Sequence, residues 1–185
     1  MIDKTLEETS TKMAKSVEAL RRELSTVRTG RASPAIVDHV KVDYHGTQTP
    51  LKQMATISVP EARLLVIQPW DRTMVGSIDK AIQKADLGVN PVNDGSLIRI
   101  SIPQLSEERR KELVKLVHKK AEEGRVAVRN VRRHSLEELR GLERSKEISE
   151  DDMKRAQEQV QHITDGFVAE VDEAAKAKEA ELLEV

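Results

Sequence analysis

The chain has 185 residues, 38% hydrophobic and 34% charged, with 31 Lys and Arg against 32 Asp and Glu for a formal net charge of -1. That composition describes an ordinary soluble protein of one domain or two small ones, and it excludes a disordered or membrane-embedded chain. The absence of Cys excludes disulfides, thiol chemistry and Cys-ligated zinc, and one Phe, one Tyr and one Trp cannot build the base-stacking platforms of single-strand nucleic-acid binders.

The first stretch, MIDKTLEETS, has acids where a secretory signal carries a basic and then an apolar region. No run approaches about 18 apolar residues. A cytoplasmic protein without membrane contact is expected. Leu6, Met13, Val17, Leu20, Leu24 and Val27 recur in steps of seven, four and three, which predicts a helix with one apolar face over 6–27. The texture then changes. Val40, Val42 and Tyr44 alternate before a His45-Gly46 turn, Ile57 and Val59 alternate before Pro60, and Leu64 to Ile67 form a short apolar run. Met74, Val75, Ile78, Ala81, Ile82 and Ala85 predict a short amphipathic helix that Gly88 closes. Asn93-Asp94-Gly95 is a turn ahead of a strand from Leu97 to Ile102, ended by Pro103.

Helical rhythm returns twice. Leu113, Val117, Ala121, Val128, Val131, Leu139 and Leu142 predict a helix over 107–145, started by Ser106 with Glu107 and Glu108 in its first turn. Met153, Ala156, Val160, Ile163, Phe167, Val171 and Ala174 predict another over 150–183, with Ser149 and Asp152 forming a capping box. Helices on the order of 50 Å long with one apolar face need partners. The fold class is therefore α+β: residues 1–30 and 106–185 form an antiparallel three-helix bundle, and 31–105 form an inserted small α/β domain. The chain crosses between them at Gly30, Ser33 and Pro34 and again at Pro103, Gln104 and Leu105, a plausible pair of hinges.

Charge is unevenly distributed along the bundle. Residues 107–133 carry ten Lys or Arg against five Glu, whereas 137–185 carry seven basic side chains against fifteen acidic ones. The stretch RVAVRNVRRHS sets Arg125, Arg129, Arg132 and Arg133 within about 100° of helix arc, beside the apolar stripe and with no acid among them. Arg28 and Arg31, at the end of the first helix, are candidates to join them. Helical arginines are commonly solvated or paired with acids, and Glu122 and Glu123 are close enough in sequence to serve. Four planar guanidinium groups without local acids point instead to bidentate contacts with phosphate. Such contacts fix position on a folded RNA backbone rather than read bases.

Enzyme chemistry has little support. His39, His45, His118, His134 and His162 are scattered without metal-ligand spacing, and no nucleophile-elbow, phosphate-loop or dinucleotide motif is present. A bundle that adapts one protein to another is the competing reading. Salt separates the two, because phosphate contacts release counterions and weaken steeply as salt rises.

Five strings carry a resemblance that covers essentially the whole chain in order: RTGRASP at 28–34, DLGVNP at 86–91, SEERRK at 106–111, RVAVRNVRR at 125–133 and KEISEDD at 146–152. They resemble the corresponding segments of the bacterial ribosome recycling factor family. The resemblance implies an L-shaped two-domain monomer, a three-helix bundle with an inserted small β/α/β domain, without a cofactor of its own. It implies a factor that splits post-termination ribosomes into subunits together with elongation factor G, which hydrolyses the GTP. It further implies that Arg129, Arg132 and Arg133 meet large-subunit ribosomal RNA, with Arg125 on the same face. Arg28, Gly30 and Arg31 match the first hinge and the bundle tip, Pro103, Gln104 and Leu105 the second hinge, and Arg109, Arg110 and Lys111 the basic start of the middle helix. Gly124, just before the basic run, is a poor helix former and should cost roughly 1 kcal/mol relative to Ala.

Overall fold

The computed structural model describes residues 1–184. In chain order its elements are α1 (Ile2–Ser25), β1 (Lys41–Tyr44), β2 (Thr47–Pro50), β3 (Ala55–Glu61), β4 (Leu64–Pro69), α2 (Val75–Lys84), β5 (Pro91–Asn93), β6 (Ile98–Ser101), α3 (Glu107–Arg144) and α4 (Glu150–Leu183). They form two compact units, Met1–Thr29 with the chain from Glu107 onward, and Gly30–Ser106. No helix among the described residues is long and apolar enough to cross a membrane.

The first unit is a bundle of α1, α3 and α4. Lys120 meets Glu23 at 2.9 Å and Thr9 meets Ser135 at 2.6 Å, so α1 and α3 run antiparallel. His118 meets Glu179 and Arg132 meets Gln161, which sets α3 and α4 antiparallel as well. Met13, Val17, Leu20, Val117, Val128, Leu139, Val160 and Val171 fill the core. The apolar rhythm does not account for all of it. Thr5, Thr9, Ser135 and Thr164 are buried too, whereas Leu6, Val131, Ile163 and Ala174 are only partly covered. The buried hydroxyls are satisfied locally: Thr9 donates to the Thr5 carbonyl at 2.6 Å and Thr164 to the Val160 carbonyl at 2.7 Å. A helix can therefore bury Ser or Thr where an aliphatic residue was expected.

Gly124 is also buried, where all three helices meet. A Cβ there would sit 3.0 Å from Leu20 Cδ2 and 3.6 Å from Val171 Cγ1. The glycine is a contact point for close helix approach, not merely a weak helix residue.

The α4 start has the expected capping box. Asp152 N–H donates to Ser149 Oγ at 3.0 Å, and Ser149 N–H donates to Asp152 Oδ2 at 3.3 Å. The Ser149 side chain, then Arg155 and then the Ser149 backbone, hold the Asp152 carboxyl below the usual carboxylate range. A depressed carboxylate pKa stabilises the fold above its unfolded value, and that contribution is lost as pH falls through the folded value. Ser149→Ala should therefore destabilise the bundle by about 1 kcal/mol at neutral pH. The expected loss in melting temperature is about 2–4 °C. The gap from wild type should shrink below about pH 4, where carboxylates protonate. Melting curves across that pH range check it, and a gap independent of pH would remove Asp152 from the cap.

The second unit holds two antiparallel sheets and one helix. A β1–β2 hairpin turns at His45-Gly46, where Gly46 N–H donates to Asp43 Oδ1 at 2.8 Å. The other sheet has the order β3-β4-β6-β5. Leu65, Ile67, Ile98 and Ile100 pack against Ile78 and Ile82 of α2 in a fully buried core. Three details differ from the sequence reading. β3 continues through Pro60 to Glu61, because it is an edge strand whose register shifts between Ser58 and Glu61. Residues 91–93 form a strand, β5, at the other edge, where Pro91 leaves no ladder donor missing from the sheet interior. α2 stops at Lys84 with Ala85 as its cap, before Gly88 is reached.

Candidate nucleic-acid interface

The four arginines of the mid-α3 stretch 125–135 have different surroundings. Arg125 is half-buried and tied down. Its Nε donates to Glu122 Oε2 at 3.0 Å and its Nη1 to Asp172 of α4. The Glu122 hydrogen bond, with Asp172 adding to it, holds the guanidinium above its ordinary pKa against the opposing effect of burial. The expectation that this charge lacks a partner is thus corrected: Asp172 lies 47 residues away in sequence and reaches Arg125 only through the helix pairing. Arg125 serves as a strut between α3 and α4.

Arg129 is exposed and reaches the other oxygen of Glu122 at 3.6 Å, a loose pair of small energetic weight. Arg133 is exposed one turn further on. Arg132 is partly covered and held differently. Its Nη1 donates to Gln161 Oε1 at 2.9 Å, and Gln161 Nε2 in turn donates to Asp165 Oδ1 at 2.8 Å. The Asp165 carboxylate fixes the amide with its oxygen towards the arginine. A neutral amide orients the guanidinium without cancelling its charge. Arg132 Nε is buried without an acceptor, so the remaining Nη donors are those left for a ligand.

The other expected site residues lie apart from these. The Thr9–Ser135 and Glu23–Lys120 pairs put Ser25, the end of α1, level with about residue 118, roughly three turns of α3 before Arg129. The bundle therefore does not bring Arg28 to the mid-helix arginines. Arg109 and Arg110 sit in the first turn of α3, and Arg109 Nη1 meets Glu112 Oε2 at 2.8 Å. Arg31 belongs to the second unit. So do all six expected hinge residues. Gly30 has φ +75, a conformation that favours glycine, and a Cβ there would lie 3.3 Å from Leu105 Cγ. Ala32 N–H donates to the Ala62 carbonyl and Ile102 N–H to the Arg63 carbonyl, both at 2.8 Å. Ser33 Oγ accepts from Ala35 N–H and caps the short turn Pro34–Val37. Ser33 and Pro34 are thus stitched into the small unit. Pro103 and Gln104 lie in the irregular stretch between β6 and α3.

One basic residue escaped the sequence reading. At about 100° per residue Arg140 falls within the arc of the four arginines. Glu137 and Glu138 stand between the acid-free run and Arg140 in the sequence, yet Glu138 turns to α1, where Thr5 Oγ1 donates to its Oε1 at 3.3 Å. Counting by helix face rather than along the chain recovers Arg140. With Arg132 and, from α4, Lys154, it lines a groove of about 590 Å³ between the two helices.

Among the described residues no cluster of His, Asp or Glu is arranged to hold a metal ion. His118 and His134 instead face Glu179 at 3.1 Å and Glu137 at 3.9 Å.

The model of the ribosome recycling factor family matches residues 20–183. A ribosome-recycling factor of Carboxydothermus hydrogenoformans is 55% identical over 185 residues, covering all of both chains. One of Nitratidesulfovibrio vulgaris is 58% identical over 174 residues, 94% of each chain. The solution structure of a ribosome recycling factor superposes with a TM-score of 0.79 at 45% identity, covering 100% of this chain and 98% of the other. A Thermus thermophilus ribosome recycling factor, described together with Escherichia coli elongation factor G bound to the post-termination complex, gives 0.67 at 47% identity and covers both chains fully.

Proposed function

The chain belongs to the ribosome recycling factor family, and from that membership we propose that it acts with elongation factor G and GTP to split post-termination ribosomes, docking on large-subunit ribosomal RNA through α3. It is a translation factor and not an enzyme. The relative described alongside elongation factor G on a post-termination complex supports the choice of partner.

The observation that carries the RNA reading is the contrast on one helix face. Arg125 is neutralised by Glu122 and Asp172, whereas Arg132 is oriented by an uncharged amide and Arg133 stands exposed. Clamping one arginine while leaving its neighbours charged suits a surface that must meet phosphate at fixed positions. The hinge belongs to the same proposal, with the pivots at the two places where the chain passes between its units, near residues 29–30 and 106–107. The segments just inside them are already held by Ala62 and Arg63.

The test is binding to isolated large subunits over a salt series, followed by splitting of post-termination ribosomes with elongation factor G and GTP. Affinity should fall linearly on a log–log plot, with a slope of about 0.7–0.9 for each phosphate neutralised. Splitting should require both factors and GTP. Salt-insensitive binding would favour the protein-adaptor reading instead.

A further inference from the structure

We infer that the α3–α4 groove bounded by Arg132, Arg140 and Lys154 is a subsite for the phosphodiester backbone of RNA, continuing the arginine face onto α4. The inference rests on the RNA-docking reading above and names side chains beyond it.

Three observations converge on the groove. Its lining places three cations, Arg132, Arg140 and Lys154, against a single acid, Glu158. Over the span that holds the groove, 132–161, the chain carries seven basic and eight acidic side chains, so the lining is more basic than its surroundings. Leu136 and Val160 also line the groove beside these charges. Apolar walls lower the local dielectric and strengthen attraction between a guanidinium and a phosphate. Finally, Arg132 is already oriented: Gln161 holds Nη1, and Asp165 holds Gln161.

The remaining groups can be recruited at little cost. Lys154 meets Glu150 at 3.0 Å, but both side chains are about 70% exposed, so the pair exchanges readily for a stronger anion. Gln157, also on the lining, supplies a neutral amide donor. The site has no aromatic side chain and no arrangement for reading a base edge, so its ligand is the backbone and its contribution is position.

The groove lies on the same side of α3 as the exposed arginines. Arg129, Arg132, Arg133 and Arg140 share one side of α3, spread over about three turns of helix. An RNA strand following them would pass over the groove before reaching the end of the bundle at Arg144 and Glu150.

The test uses the full chain carrying Arg140→Gln and Lys154→Gln together, with Arg132→Gln as a separate arm. Binding to isolated large subunits is measured at several salt concentrations, and thermal melting is measured alongside. The double variant should bind roughly tenfold more weakly, with a salt slope shallower by about 0.7–0.9 per lost phosphate contact, while melting as wild type. In parallel, Gln157→p-benzoylphenylalanine should photo-crosslink to large-subunit ribosomal RNA. Unchanged affinity and slope in the double variant, with Arg132→Gln weakened, would overturn the groove and leave the docking reading standing. A crosslink to a ribosomal protein would also overturn it, making the groove a protein contact. Unchanged binding by Arg132→Gln would bring down the docking reading itself.

Discussion

Arg132→Ala is expected to weaken large-subunit binding by roughly ten- to a hundredfold while leaving the melting temperature close to that of wild type. A charge-assisted contact to phosphate is worth about 1.5 to 3 kcal/mol. Stability should hardly move for a reason specific to this side chain. Its Nε is buried without an acceptor, so truncation relieves an unsatisfied donor while losing some packing of the stem. The two effects oppose each other. Gln161→Glu sharpens the test because it keeps the arginine and sets a carboxylate against its Nη1, at the cost of the amide's bond to Asp165. It should weaken binding less than Arg132→Ala and flatten the salt dependence. Equilibrium binding at fixed magnesium and salt, paired with thermal denaturation, distinguishes the outcomes. Wild-type affinity in Arg132→Ala would remove this residue from the interface, and a large fall in melting temperature would make it a structural one.

Gly124→Val should strongly destabilise the bundle. Even a Cβ meets Leu20 Cδ2 at 3.0 Å, and Leu20 and Val171 are both buried, so neither can swing into solvent. Two further methyl groups must push α1 or α4 away from α3. Overpacking of this kind costs typically 1–3 kcal/mol, and the upper end applies where three helices meet. A destabilisation of about 3 kcal/mol corresponds to a melting temperature lower by roughly 6–12 °C. Gly124→Ala is the control. It gains about 1 kcal/mol of helix propensity and gives back a similar amount against Leu20, so it should melt near wild type. If both variants melt together, the close approach at this level does not hold.

The parts of the molecule that the sequence made legible are those set by local periodicity. α3 and α4 begin and end within a residue of expectation because their apolar positions repeat for nine or ten turns and Ser149 with Asp152 marks a start. Burial of Thr9, Ser135 and Thr164 was not legible, because a hydroxyl satisfied by a carbonyl four residues back looks polar in a one-dimensional pattern. β5 was missed because three residues beginning with Pro91 carry no alternation of their own, and only pairing with β6 makes them a strand.

The candidate site divides along the same line. The arginine cluster was visible as composition. Which arginine is clamped was not, since Asp172 and Gln161 come from another helix. Arg140 was hidden by the two acids that precede it, of which Glu138 turns to α1. The separation of Arg28 from the mid-helix arginines required the register of α1 on α3, which only the paired residues supply.

That register has a mechanical consequence. Thr9 spends its one hydroxyl proton on the Thr5 carbonyl at 2.6 Å, which leaves Ser135 to donate across to Thr9 at 2.6 Å, with the Val131 carbonyl at 3.0 Å as its alternative. Were α1 to slide along α3 by one turn, about 5.4 Å, Thr9 would come level with Val131 or Leu139, both apolar. The cross-helix bond would break inside the core and Ser135 would turn back to the Val131 carbonyl, a net loss of about 0.5–1.5 kcal/mol. Apolar stripes alone resist such slippage weakly, because one methyl contact replaces another. The hydroxyl pair acts as a detent: a push along the bundle axis travels from one end to the other as a displacement of the whole rod, not as shear between its helices.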